Sequence, residues 1–281
     1  MNEDQLVARI ARMASGAKAR GLILGIGDDC AIYRPKPGEE LVFTTDLFIE
    51  DVHFRLRGSE PATLGRRALA RSLSDIAAMG AVPRFCLVSL ALSKRADPKW
   101  AMAFYRGLLR LARDTSTALA GGDLSHSNRV TCDVMVCGSV ARGKALRRDG
   151  ARAGDAIYVS GPLGGWRHRT GIVPRLELGR RIASKATAAM DISDGLSTDL
   201  RRLCLASGVA ASLDAPLPVL TGATLDEALH AGEDYELLYT ARPRPRVPGL
   251  RIGQIFEGRP GDVFLMGMKV PPRGYDHLDS R

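Results

Sequence analysis

Hydrophobic positions along the 281-residue chain fall into segments that alternate between a period of two and a period near 3.6. Residues 41–46 read as a strand ending on a carboxylate, and 86–92 as a buried strand. Residues 129–140 read as a long alternating strand with Val130, Cys132, Val134 and Val136 on one face. Two helices stand between them. The first, over 61–79, gathers Leu69, Leu73, Ile76 and Ala77 on one side and stops at Gly80; the second, over 98–113, repeats Trp100, Phe104, Leu108 and Leu111 at helical spacing, as a core-facing stripe does. After Val140 a basic, glycine-bearing connection, ARGKALRRDGARAGD, precedes the strand AIYVS, which sets two domains, 1–140 and 141–281. In the second, 189–207 read as a strand end, a turn at 191–195 and a helix on Leu196, Leu200 and Leu203 that ends at Gly208. Short strands follow at 237–240 and 251–256, with the proline-rich ARPRPRVPG as the loop between them. Alternation of this kind predicts a mixed α/β or α+β architecture.

Composition narrows the function classes. Hydrophobic residues at 45% and charged residues at 25% are globular values. The net charge of +9 suggests a nucleic-acid or membrane surface. Its distribution argues against one: 19 basic residues face 15 acidic ones in 1–140, and 21 face 16 in 141–281, so neither half is a basic arm. Five cysteines without a C-x-x-C pair exclude a disulfide framework and a zinc ribbon. The opening MNEDQLVARIARMA does not read as a signal peptide, and no apolar run approaches the ~18 residues that span a bilayer, which points to a cytoplasmic protein.

The candidate chemistry lies in acidic residues set among Gly, Ser and Thr. They are Asp28 and Asp29, Thr44-Thr45-Asp46, Ser74-Asp75, Gly121-Gly122-Asp123, Asp191-Ile-Ser-Asp194-Gly, and Gly232-Glu233-Asp234, read mostly as turns. Oxygen donors of this type suit Mg²⁺, which keeps waters and shares substrate phosphates. Taken singly each has a plainer reading: Asp194 as a helix N-cap, and Asp75 as a surface partner of Arg71 four residues before it. Gly25 and Gly27 lack the third glycine of a dinucleotide fingerprint, and neither a P-loop nor the protein-kinase motif set is present.

The motifs GIGDDCAI, TTDLFIEDVHF, SLSDIAAMGAVP, GGD, GARAGDAIYVSG, MDISDGLSTDL, GEDYELLYT and the tail GYDHL follow one another in order. Together they resemble the thiamine-monophosphate kinase family, in the superfamily that includes aminoimidazole ribonucleotide synthetase. The resemblance implies transfer of the ATP γ-phosphoryl group to thiamine monophosphate with several Mg²⁺ ions. It implies an α+β fold of two α/β-sandwich-like domains, the N-terminal sheets of two chains pairing in a homodimer barrel, with no nucleic-acid or membrane partner. The first domain would carry ATP and metal binding, and the second would complete the active site. By the same resemblance the metal ligands fall on Asp29, Thr44, Thr45, Asp46, Asp75, Asp123, Asp191 and Asp194. Nucleotide contacts fall on Tyr105, Gly122, Asp123, Arg148 and Ser193, and acceptor contacts on His53, Glu233 and Tyr275. Asp75 and Asp191 are the expected bridging ligands, with Arg148 as a bidentate phosphate contact.

One region departs from the family. Between SGPLGG and MDISDGL the chain is short, as if an outer helix were deleted, with Pro174-Arg175 and Gly179 matching the remnant. A second enzyme reading is a superfamily member that uses ATP to activate an amide, carbamoyl or selenide. Its selenide and carbamoyl relatives use a reactive cysteine near one terminus; the tail here has none, and Cys30 reads as a small core residue. A non-catalytic nucleotide- or RNA-binding module is the remaining alternative.

Overall fold

The structure is a computed structural model that describes residues 2–15, 19–169, 171–243 and 247–275. The last three residues of the GYDHL motif and the middle of the proline-rich loop lie outside the described residues. Two compact units are present, one of residues 1–76 and 82–143, the other of 77–81 and 144–281.

In the first unit the chain runs α1 (Glu3–Ala14), β1 (Leu22–Leu24), β2 (Ile32–Tyr33), β3 (Glu39–Ile49), α2 (Pro61–Ala78), β4 (Val82–Leu92), α3 (Pro98–Asp114), β5 (Ala118–His126) and β6 (Thr131–Ala141). α1 starts with a capping box in which Asn2 and Gln5 satisfy each other's backbone donors, and α3 starts at Asp97, which accepts the Trp100 N–H, followed by a proline. β3, β6, β4 and β5 form one sheet in that order. β6 is antiparallel to both neighbours, whereas β4 and β5 are parallel, with α3 as the crossover. The alternation read in the sequence holds, since Val130, Cys132, Val134 and Val136 are all fully buried. α2 packs over this face, where the Ser72 hydroxyl donates to the Val134 carbonyl at 2.9 Å. α2 and α3 touch through glycines: a Cβ on Gly65 would sit 1.9 Å from the Phe104 carbonyl oxygen, and one on Gly107 1.7 Å from that of Ala62.

The second unit contains β7 (Ala156–Val159), α4 (Leu176–Ile182), β8 (Ala186–Asp191), α5 (Leu196–Ser207), β9 (Ala210–Leu213), α6 (Leu225–His230), β10 (Leu237–Ala241), β11 (Leu250–Phe256), β12 (Val263–Leu265) and β13 (Met268–Lys269). Its sheet has seven strands in the order β13-β12-β9-β11-β7-β10-β8, antiparallel except for β12 beside β9. α5 buries Leu196, Leu200 and Leu203 against it, in a core that includes Ile157, Val159 and Ile252.

The expected homodimer barrel is corrected by the sheets themselves. The fold is α+β with two mixed, open sheets, and among the described residues neither closes on itself. Four strands ending at β3 on one side and β5 on the other leave two edges, whereas a barrel requires its first and last strands to pair.

Candidate functional site

β3 carries three consecutive candidates, and strand geometry sends them to opposite faces. Thr44 and Asp46 share a face with α2, where the Thr44 hydroxyl donates to the Asp75 carboxylate and Asp46 lies 3.9 Å from the Arg71 guanidinium. Arg71 is buried at 8% exposure, so it is no surface residue. Thr45 faces the other way and donates to Asp133 at 2.5 Å, an acidic residue that the sequence reading missed because it stands among apolar neighbours. Burial pushes the Asp46 carboxyl above its usual range, against the pull of Arg71, and its Oδ2 is buried without a hydrogen-bond partner. His53 accepts the Ile49 N–H on Nδ1 at 3.0 Å, which leaves the neutral ring's proton on Nε2.

A second group of candidates meets in one cavity of about 1050 Å³, whose wall includes Asp29, Tyr105, Gly122 and Asp123. The Gly121-Gly122-Asp123 segment is not the expected turn: it lies inside β5, opposite Leu87, Val88 and Ser89 of β4. Gly122 has φ +153°, and a Cβ there would meet the Val88 carbonyl oxygen at 1.9 Å, so only glycine fits the strand pair. Cys30, expected in the core, is instead exposed on this cavity's wall because the loop after β1 turns it outward. Burial pushes the Tyr105 hydroxyl pKa up, so it stays a neutral donor.

In the second unit three motifs converge through backbone hydrogen bonds. Asp191 ends β8, and the turn after it, which carries Ser193 and Asp194, receives the Glu233 N–H on the Ser193 carbonyl at 2.7 Å and the Tyr235 N–H on that of Ile192 at 2.7 Å. The Tyr275 N–H reaches the Asp194 carbonyl at 3.0 Å. Five of the six candidates in this unit therefore lie on segments bonded to one another. Asp194 is not the N-cap of α5: that position is Gly195, and the Asp194 carboxylate pairs with Arg202. No side chain caps α5; Asp199 in its first turn is fully buried and holds the preceding turn instead, accepting the N–H groups of Ser193 and Asp194 at 3.1 and 2.9 Å. Burial raises its carboxyl to about 6. Arg148 follows Arg147, whose guanidinium is held by Asp149 at 2.9 and 2.5 Å, while Arg148 itself is exposed.

Glu233 and Tyr235 have φ of 66° and 52°, a conformation that non-glycine residues hold only when their surroundings enforce it. Asp234 between them supplies the anchor: its buried carboxylate accepts the Gly165 N–H at 3.0 Å and Arg169 Nε at 3.0 Å. Arg169 and Arg175, both from the shortened segment, also bind buried Glu236, at 3.0 Å for Arg169 and 2.8 and 2.5 Å for Arg175. Two arginines of the segment between β7 and β8 thus hold the chain on either side of Tyr235. A cavity of about 490 Å³ beside it is lined by Trp166, Arg273 and Tyr275; the first two carried no recognisable motif.

The donors in both units are carboxylate and hydroxyl oxygens. Among the described residues no three His, Cys, Asp or Glu side chains group to hold an ion by themselves. An ion that completes its shell with water and phosphate oxygens fits such a set, and the unpartnered Asp46 Oδ2 is a ready ligand.

A family model for AIR synthase related protein, N-terminal domain, matches residues 27–140. The chain is similar to thiamine-monophosphate kinase of Bacillus subtilis (strain 168), with 31% identity over 91% of this chain and 93% of that one. Among solved structures it is similar to thiamine-monophosphate kinase from Stenotrophomonas maltophilia K279a, at 35% identity and a TM-score of 0.84 over 96% of this chain and 98% of that one. It is also similar to AaThiL complexed with AMPPCP and TMP, at 30% identity and a TM-score of 0.78 over 98% and 97%. With this likeness running through both units, the chain belongs to the thiamine-monophosphate kinase family.

Proposed function

We propose that the chain transfers the γ-phosphoryl group of ATP to thiamine monophosphate, giving thiamine diphosphate and ADP. The relationship to thiamine-monophosphate kinases, spanning both units, carries the reading. The cavity beside Asp29, Gly122 and Asp123 supports nucleotide binding in the first unit, with Tyr105 in its wall. Asp29, Thr44, Thr45, Asp46, Asp75, Asp123, Asp191 and Asp194 are the proposed Mg²⁺ ligands; when bound, the metal offsets phosphate charge and orients the phosphoryl group. A cytoplasmic setting is part of the same proposal.

The reaction needs no general base. The acceptor's phosphate has a second pKa near 6, so its attacking oxygen is already ionised at neutral pH. Repulsion is the obstacle: two unit charges ~4 Å apart cost about 4 kcal/mol at an effective dielectric of 20. Arg148 and Ser193 are proposed to meet the nucleotide's phosphates. His53, with its proton on Nε2, and Glu233, held in its strained conformation, are proposed to fix the acceptor. Tyr275, half exposed on the 490 Å³ cavity, offers a ring face to the acceptor's cationic heterocycle. The exposed Phe43 and Leu47 on edge strand β3 favour self-association of two copies in solution, which sedimentation would read.

Purified protein given ATP, Mg²⁺ and thiamine monophosphate should form ADP and thiamine diphosphate in equal amounts, and EDTA should abolish both. Asp75→Ala should lower turnover by about 10–100-fold, as loss of a ligand's close support does. Nucleotide binding by the wild type without any thiamine diphosphate would defeat the acceptor assignment.

A further inference from the structure

Strands β4 and β5 are parallel and end side by side, with Leu92 opposite His126. In open sheets the crevice beyond the carboxyl ends of parallel strands is a recurrent ligand position. Here that crevice is a cavity of about 370 Å³ lined by Ser93, Lys94, Arg95, His126, Ser127 and Asn128, without a carboxylate in its wall. None of these residues belongs to the phosphotransfer machinery described above.

Two features make it more than a cationic surface. Ser93 lines the cavity, is buried at 4% exposure, and its hydroxyl, closed off from solvent, has no hydrogen-bond partner. A buried polar group left unpaired calls for a ligand or a function. Arg95 is fixed from behind: its guanidinium binds Glu50 at 2.5 Å, and Glu50, itself fully buried, also accepts the Val130 N–H at 2.8 Å. The Arg95 side chain remains 61% exposed, and a guanidinium has more donors than its pair with Glu50 uses. The loop across from it is pinned by the Ser127 N–H on the Leu92 carbonyl at 3.0 Å.

We propose that this crevice is a phosphate-type oxyanion site, in which Lys94 and Arg95 supply charge, Ser93 donates its hydroxyl, and His126 closes the far wall. A tetrahedral oxyanion matches a hydroxyl donor, an ammonium and a guanidinium converging from a dry floor and a charged rim. The site stands whether or not the acceptor is thiamine monophosphate. Its anion has two sources of the same chemistry, free inorganic phosphate or the phosphate of a substrate.

The test is calorimetric titration of the full chain with inorganic phosphate at low ionic strength. One site is expected, weakened at least tenfold in the Lys94→Met/His126→Ala double variant and in Ser93→Ala, and retained in Lys94→Arg. Lys94 and His126 are exposed, so the double variant should keep its fold, which circular dichroism checks. An unchanged KM for thiamine monophosphate in the double variant assigns the site to free phosphate. A tenfold rise with kcat kept assigns it to the acceptor's phosphate. No binding of phosphate by the wild type at millimolar concentration, or equal binding by the double variant, overturns the proposal.

Discussion

Cys30 reports on the nucleotide cavity without touching its proposed chemistry. Of the five cysteines it alone is exposed; Cys86, Cys132, Cys137 and Cys204 are buried. Burial pushes the Cys86 and Cys204 thiols up to about 12 and Cys137 up to about 11, so little thiolate forms on them at neutral pH. A maleimide should therefore add once per chain, at Cys30, as intact mass would read. Because Cys30 shares a wall with Asp29, Gly122 and Asp123, Mg-ATP should slow that addition several-fold. Labelling at an unchanged rate under saturating Mg-ATP would remove the nucleotide from this cavity. The reactive-thiol chemistry of the carbamoyl and selenide relatives gains no support from Cys30, since family membership places the chain among the thiamine-monophosphate kinases.

At the scale of elements, the β4–β5 pair depends on Gly122. Gly122→Ala forces its Cβ toward the Val88 carbonyl, and overpacking of this kind costs about 1–3 kcal/mol. A lower urea midpoint is expected, along with weaker nucleotide binding; an unchanged midpoint would mean that the strands separate without cost. α6 offers a pH test. Thr224 caps it, and Glu227 accepts the Thr224 N–H and hydroxyl and pairs with His168. These contacts, the Thr224 N–H first, lower the Glu227 carboxyl from its ordinary 4.5 to about 2. Its contribution to stability is therefore full above pH 4.5 and lost as pH falls toward 2. Glu227→Gln should flatten that part of the stability curve, and Thr224→Ala should cost about 1 kcal/mol at neutral pH. The long elements were legible because α2, α3 and β6 each bury one face, and a buried face writes its period into the chain. The GGD segment misread as a turn because two glycines look like one, although Gly122 is there to admit the Val88 backbone and Gly121 sits against the Leu87 side chain. α4 and α6, of seven and six residues, are too short for a periodic signal. The residue types of the site were legible, but not their directions. Thr45 turns from Thr44 by strand geometry, and Asp199 supports Ser193 and Asp194 through a fold-specific turn.

At the scale of the whole molecule, the +9 charge acquires a purpose that does not involve nucleic acid. Both proposed substrates carry phosphates, and the excess is spread over both halves of the chain, 19 basic against 15 acidic and 21 against 16. A diffuse positive field raises the encounter rate of any polyanion without forming a strip that tracks a nucleic-acid backbone. Such a field acts through solvent, so salt should screen it: raising KCl from about 0.1 M to about 1 M shortens the Debye length from about 10 Å to about 3 Å. The expected result is a several-fold fall in kcat/KM for both substrates, with kcat at saturation changing much less, because charges already in contact are screened less than approach from solvent. Steady-state kinetics at constant free Mg²⁺ separate the two quantities. Equal losses in kcat and kcat/KM would instead place the salt-sensitive step in the bound complex and leave the charge of +9 as a property of the surface alone.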